Sequence, residues 1–208
     1  MKVERYQEGL SLAEYLQIEQ DLVKEVKELT LFTWIVSPTV IYGRHQSAEV
    51  EVNEEYCRQN GIAVVQRKSG GGCVYADQGN LMLSYISPSM HSEQVFADFL
   101  TFVRNVLVAK GIAAVTTEHN DILVDGRKVS GAACFTSSTG TIVHATLLFD
   151  VNLDALSQAI TPTTAKLAKH GVASVRQRVA NLKELTDAFQ DIHELREYIE
   201  KMAQWTNK

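Results

Sequence analysis

The chain has 208 residues, 45% of them hydrophobic, and a net charge of -5 from 25 acidic and 20 basic side chains. That length supports one domain with a sizeable core, while the acidic balance lacks the basic excess needed to follow a phosphate backbone and argues against nucleic acid as a main partner. No apolar run approaches the ~18 residues of a membrane span, and the opening MKVERYQEGLSLAEYL lacks the apolar centre of a signal peptide, so a cytoplasmic protein with no membrane partner is expected.

In chain order, Ser11 and Glu14 make a capping box ahead of LAEYLQIEQDLVKEVK, which predicts a helix from near Leu12 to near Lys27. LTLFTWIV and TVIYG read as two strands broken at Ser37-Pro38 and expected to pair as a hairpin. Asn53 caps a short helix through EEYCRQN, Gly61 takes the left-handed position after it, and IAVVQ and CVYA are strands on either side of a glycine triplet. In SEQVFADFLTFVRNVLVAKG the apolar residues Val95, Phe96, Phe99, Leu100, Val103, Val106 and Leu107 recur at three- and four-residue steps. This predicts a long amphipathic helix capped by Ser92 and closed by Gly111.

DILVDGRKVSGAACF then reads as two strands about an Asp125-Gly126 turn, and TIVHATLLFDV as another strand. From Leu153 onward the pattern is mostly helical, with a local basic strip at Arg176, Arg178 and Lys183. Short strands interleaved with a few helices predict an α+β domain with mixed or antiparallel sheets, a single unit over residues 1–208.

Two constellations carry chemistry. The first is RKSGGGCVY, where Gly70, Gly71 and Gly72 follow Arg67, Lys68 and Ser69. Consecutive glycines let backbone N–H groups converge on an anion while a neighbouring cation neutralises it. The loop is neither a Walker motif nor a dinucleotide fingerprint, because the position of the third glycine is Tyr75. A phosphate or a carboxylate fits it. The second is NDILVDGRKVSGAA, where Lys128 stands on an otherwise apolar strand and Ser130, Gly131, Ala132 and Ala133 clear space beside it. A point charge on a long stem can reach an anionic ligand there, and Asn120 with Asp121 can orient a divalent cation through one carboxylate plus substrate oxygens. His144, on an apolar strand, reads as a hydrogen-bonded core histidine, and the residues alone assign it no chemistry. Cys57, Cys73 and Cys134 are odd in number and far apart, which predicts reduced thiols, and the six histidines show no metal-site spacing.

Together RKSGGGCVYADQGNLMLSY, NDILVDGRKVSGAA, HATLLFDV and KLAKHGVASVRQRVANLKEL resemble the lipoate-protein ligase family, within the biotin and lipoate attachment superfamily. The resemblance implies a biotin/lipoate ligase-like catalytic domain that uses ATP, Mg2+ and lipoate. Lipoyl-AMP would form first, and the lipoyl group would then pass to a lysine of a lipoyl domain, from a 2-oxoacid dehydrogenase complex or an H-type protein of glycine cleavage.

The resemblance also implies roles for individual residues. Lys128 would contact the carboxylate and the α-phosphate; Arg67 and Ser69 would contact the phosphate and carboxylate sides, and Gly70, Gly71 and Gly72 would lie against the intermediate. Val74 and Tyr75 would be backbone neighbours of the adenine, Asn120 and Asp121 would take the phosphate and magnesium side, and Asn80, Ser130, Gly131, Ala132 and His144 would complete the binding set. Two positions depart from the family: Ala76 replaces a common histidine, and Ala145 a common glycine. A C-terminal accessory domain common in these ligases is not expected within these residues, so a separate accessory subunit is one expectation. Competing readings are an ATP-independent octanoyl or lipoyl transferase, for which Thr141 stands where one group has its cysteine, and a non-catalytic binder of lipoyl groups or lipoyl domains.

Overall fold

The computed structural model describes residues 1–117, 120–160 and 179–205. Its elements in chain order are β1 (Lys2–Glu4), α1 (Leu12–Glu25), β2 (Thr30–Trp34), β3 (Thr39–Tyr42), α2 (Ala48–Glu51), α3 (Glu54–Gln59), β4 (Ala63–Gln66), β5 (Val74–Ala76) and β6 (Asn80–Ser87). There follow α4 (Ser92–Ala109), β7 (Ala114–Thr116), β8 (Asp121–Val124), β9 (Arg127–Thr136), β10 (Thr141–Leu148), α5 (Leu153–Ala159), α6 (Leu182–Leu185) and α7 (Ile192–Trp205). The sheets are a seven-stranded one ordered β1-β2-β6-β10-β9-β8-β7 and a three-stranded one ordered β4-β3-β5. Among these strands β1/β2 and β3/β4 pair in parallel and the other pairs are antiparallel. The α+β class with mixed sheets therefore holds.

The expected hairpin of LTLFTWIV and TVIYG does not form: β2 pairs with β6 in the large sheet, and β3 joins β4 and β5 in the small one. Both segments are apolar enough to be buried on two faces, so periodicity alone could not assign them to different sheets. The turn at Ser37-Pro38 is where the chain changes sheets.

Local signals account for the helices. Ser11 caps α1 reciprocally, its Oγ accepting from Glu14 N while the Glu14 carboxylate accepts from Ser11 N. For α4 the expected Ser92 cap is wrong: the N-cap is His91, with no side-chain bond, and Ser92 is the first helical residue. Gly61 and Gly111 do adopt positive φ, 64° and 87°, as the helix ends require. Asp125 and Gly126 also carry positive φ, the geometry of a tight β8–β9 hairpin.

The large sheet divides the interior. On one face α4 and α7 cover Leu83, Tyr85, Val129, Val143 and Leu147. On the other, α1 packs over Phe32, Trp34, Met82 and Ile142, and the same cluster takes in Ile41, Val65 and Val74 from all three strands of the small sheet. A third cluster fastens the small sheet to α3 and α5. The space where α1, the small sheet and the β9–β10 ladder converge holds the candidate site.

Candidate active site

Arg67 sets the shape of the glycine loop. Its guanidinium is buried, and burial holds its pKa below the usual arginine value. Nε donates to Ser69 Oγ (3.0 Å) and Gly70 O (3.2 Å), Nη1 to Ile41 O (3.0 Å), and Nη2 to the Gly70 and Gly72 carbonyls (2.7 Å each). A planar fork that satisfies several carbonyls at once is a task lysine cannot perform. Gly71 has φ 88°, and a Cβ there would stand 3.0 Å from Arg67 Nη2, while a Cβ on Gly43 would run into the Gly71 carbonyl. Gly70 and Gly72 differ, since a Cβ on either would meet open space. Two glycines of the triplet thus leave their backbone open to a ligand, and the middle one serves the turn.

Lys128 reaches the site through a β-bulge. Along β9, Gly131 and Ala133 pair with Thr146 and His144 and share their face, so strict alternation would place Lys128 on the opposite face. The register of β8 against β9 jumps from Ile122↔Ser130 to Leu123↔Lys128. That extra residue leaves Val129 in the α4-side core and brings the Lys128 ammonium beside Gly131, where an added Cβ would lie 3.0 Å from both Cε and Nζ. Lys128 Nζ sits 2.7 Å from Asp121 Oδ1, with both side chains partly open to solvent. Asn120, at the mouth of β8, takes the left-handed φ of 65° that asparagine tolerates better than most residues.

These groups converge on a cavity of about 270 Å³. One end is apolar, formed by Leu12, Leu16, Trp34, Ile41 and Met82; the other is polar, formed by Arg67, Gly71, Gly72, Asn120, Asp121 and Lys128, with Val74, Gly131, Ala132, His144 and Ala145 between. A second hollow of about 470 Å³ beside α4 shares Gly71, Asn120, Ala132 and Ala133 with the first and extends to Gly70, Phe96 and Cys134. The glycine loop and Lys128, apart by some 60 positions in sequence, therefore face one space.

Other residues singled out in the sequence lie off that space. Tyr75 is buried among the small sheet's own packing with α3 and α5, because alternation turns it away from Val74. Its phenol is pushed well above the ordinary tyrosine pKa by burial and the nearby Asp77. Asn80 is buried behind Met82, to whose sulfur its Nδ2 donates at 2.9 Å. Ser130 is buried with no partner for its hydroxyl. Ser69 is not on the wall itself but holds it, as described below. Ala76 is wholly buried under α1, and Ala145 lines the cavity.

Asp121 is the single acidic side chain on the cavity wall among the described residues, and no group of three or more His, Cys, Asp or Glu among them could hold a metal. Cys134 has its thiol pushed up by burial, which disfavours the thiolate a transferase nucleophile needs. Thr141 lies outside both hollows. Most of the KLAKHGVASVRQRVANLKEL motif, with Arg176 and Arg178, lies outside the described residues; Lys183 pairs with Asp150.

Sequence reasoning missed Glu19. Its carboxylate is 1% exposed, stands 3.0 Å from His144 Nδ1 and accepts from Ser84 Oγ (2.6 Å), which accepts from Trp34 Nε1 (2.8 Å). His144 Nε2 lies 2.6 Å from Ser69 Oγ. The signal was present in the sequence: Glu19 falls on the stripe Leu12, Tyr15, Glu19, Val23 that α1 buries. A carboxylate on an otherwise apolar stripe needs a buried partner.

The α+β fold is that of the lipoate-protein ligases: lipoate-protein ligase A, solved with ATP bound, aligns with a TM-score of 0.86 and 26% identity, covering 99% of this chain and 85% of that one. The chain belongs to the lipoyl protein ligase A/B catalytic domain family, whose model matches residues 6–204. Lipoate-protein ligase LplJ of Bacillus subtilis is 36% identical over 189 residues, 88% of this chain and 56% of that protein. Two Thermoplasma acidophilum structures are also similar. One, with bound lipoic acid, has a TM-score of 0.83 and 27% identity, covering 100% of this chain and 86% of that one. The other, described as a bi-partite lipoate protein ligase with its E2 lipoyl domain, has a TM-score of 0.81 and 28% identity, covering 97% and 84%. The chain spans about half the length of the curated relatives it matches.

Proposed function

We propose that this chain is the catalytic unit of an ATP-dependent lipoate-protein ligase. A lipoate carboxylate oxygen attacks the α-phosphorus of ATP, forming lipoyl-AMP and expelling pyrophosphate. A lysine amine of a lipoyl domain then attacks the acyl carbon, and AMP leaves with the electrons of the broken anhydride bond. The observation that carries this reading is the placement of Lys128 Nζ beside Asp121 on the polar part of a cavity wall whose apolar part suits an acyl tail.

Two anions must meet before the first bond forms, and a fixed ammonium between them lowers their repulsion and stabilises the charge that grows on phosphorus. The backbone at Gly70 and Gly72, open on its Cβ side, gives the intermediate room to lie against the main chain. Burial of the acyl-phosphate bond away from water keeps it for the acceptor amine. Mg2+, bound mainly to the ATP phosphates, would find one carboxylate in Asp121 and an amide in Asn120, the sparse protein ligation usual for that ion. The acceptor is a lipoyl domain of the E2 or H-protein type, and the working compartment is the cytoplasm.

Intact-mass measurement of a lipoyl domain incubated with this chain and lipoate, with and without ATP, tests the proposal, with and without an added accessory subunit. Lipoylation that needs ATP and releases pyrophosphate is expected. Acyl transfer from an octanoylated donor domain without ATP would make it a transferase, and retention of lipoate or lipoyl domain with no turnover would make it a binder.

A further inference from the structure

The buried chain of polar groups behind the cavity has a direction, and that direction can be read from which atoms must donate. Arg67 Nε is always protonated, so Ser69 Oγ accepts from it. Trp34 Nε1 can only donate, so Ser84 Oγ accepts from it and donates its own hydrogen to Glu19 Oε1. The other Glu19 oxygen faces His144 Nδ1, which must therefore carry hydrogen. If Nε2 carried one as well, Ser69 Oγ would accept twice and its own proton would need a third partner; among the described residues its bonds are those to Arg67 and His144. With Nε2 bare, Ser69 donates to it, and every proton from Trp34 to Arg67 has an acceptor.

We propose that Glu19 is a positioning residue that fixes His144 as the Nδ1–H tautomer. This makes the Ser69 hydroxyl a donor to His144 Nε2 and an acceptor from Arg67, and so holds the glycine loop in its cavity-facing shape. The other tautomer would set His144 Nε2–H and Arg67 Nε–H against the same Ser69 oxygen and strip the Glu19 carboxylate of its ring donor. In a site where the Glu19 and Ser69 side chains are almost wholly buried, such unmet bonds are costly. The loop would then relax at Ser69, and with it the Gly70 and Gly72 carbonyls held by the same guanidinium.

The arrangement also has the residue types of a Ser-His-acid nucleophile, but Arg67 occupies the serine lone pair and Ser69 is 2% exposed. That geometry suits a strut and not an attacking oxygen.

Nitrogen-15 spectra of histidine-labelled protein read the tautomer directly. Wild type should show His144 protonated at Nδ1 and bare at Nε2, Glu19→Ala should show the Nε2–H form, and Glu19→Gln, whose amide oxygen can still accept from Nδ1, should keep the wild-type pattern. Exchange of the Arg44 amide, whose N–H donates to the Ser69 carbonyl at the start of the loop, should quicken at least tenfold in Glu19→Ala and by much less in Glu19→Gln. These readouts do not depend on the proposed ligase reading; in the lipoylation assay, which does, Glu19→Ala should lower kcat at least tenfold and Glu19→Gln should recover most of the loss. A folded Glu19→Ala protein that keeps the Nδ1–H ring, or keeps Arg44 amide exchange at the wild-type rate, overturns the proposal. Rapid labelling of Ser69 by a fluorophosphonate would overturn it in favour of a nucleophile.

Discussion

Two charged clusters meet at the cavity, and they are built on opposite plans. Arg67 and Glu19 are 6% and 1% exposed, and each guanidinium nitrogen and each carboxylate oxygen has at least one partner in the protein. Lys128 and Asp121, with side chains 35% and 23% exposed, hold each other through one 2.7 Å contact. A half-solvated ion pair of that kind is worth little to folding, roughly 0–1 kcal/mol, and is easily exchanged for a substrate anion. Saturated, buried charges shape the cavity; unsaturated, accessible ones remain free to act in it.

The comparison breaks first at Lys128. Lys128→Ala should lower adenylate formation by about 10²–10³-fold, the scale seen when one transition-state donor is removed. The melting temperature should stay within about 2 °C, because the lost pair adds little stability. Pyrophosphate release and thermal melts check both halves; adenylation at the wild-type rate would remove Lys128 from the chemistry.

Arg67→Ala should do the reverse in emphasis. It strands the buried Ile41 carbonyl and the part-buried Gly70 and Gly72 carbonyls, and a loss of about 3 kcal/mol in urea unfolding is expected. Arg67→Lys should recover less than half of that loss, since one ammonium cannot serve carbonyls that lie in several directions.

Gly131→Ala sharpens the contrast. The new methyl would press on the Lys128 Cε and Nζ at 3.0 Å, and the flexible end of the lysine would yield. Stability should change by less than about 1 kcal/mol, while activity falls roughly tenfold, as a misplacement of the order of 1 Å at a reacting centre can cause. Ser92→Ala is the smallest case. With no cap bond at that position, unfolding should move by less than about 0.5 kcal/mol, against the ~1 kcal/mol that loss of a working serine cap costs.

The site was half legible in the chain. The glycine triplet and the lysine followed by small residues were readable because both features reflect local steric demands, a bare backbone and room beside a long side chain. The roles of Arg67 and Ser69 were not. A cation before a glycine loop reads as a ligand contact, and only coordinates reveal that five contacts turn its guanidinium inward.

By itself the sequence determined α1 with its capping box, the long amphipathic α4, the Asp125-Gly126 hairpin and the α+β class, since each depends on side chains a few positions apart. Tertiary structure alone decided that β2 and β3 belong to different sheets, that one bulge turns Lys128 onto the face of Gly131, and that Glu19 meets His144 across 125 positions. The physical reason is common to all three. Sheet partner, strand register and buried hydrogen-bond partner are set by the closest packing of distant segments, and a local pattern of apolar and polar residues is compatible with several such packings.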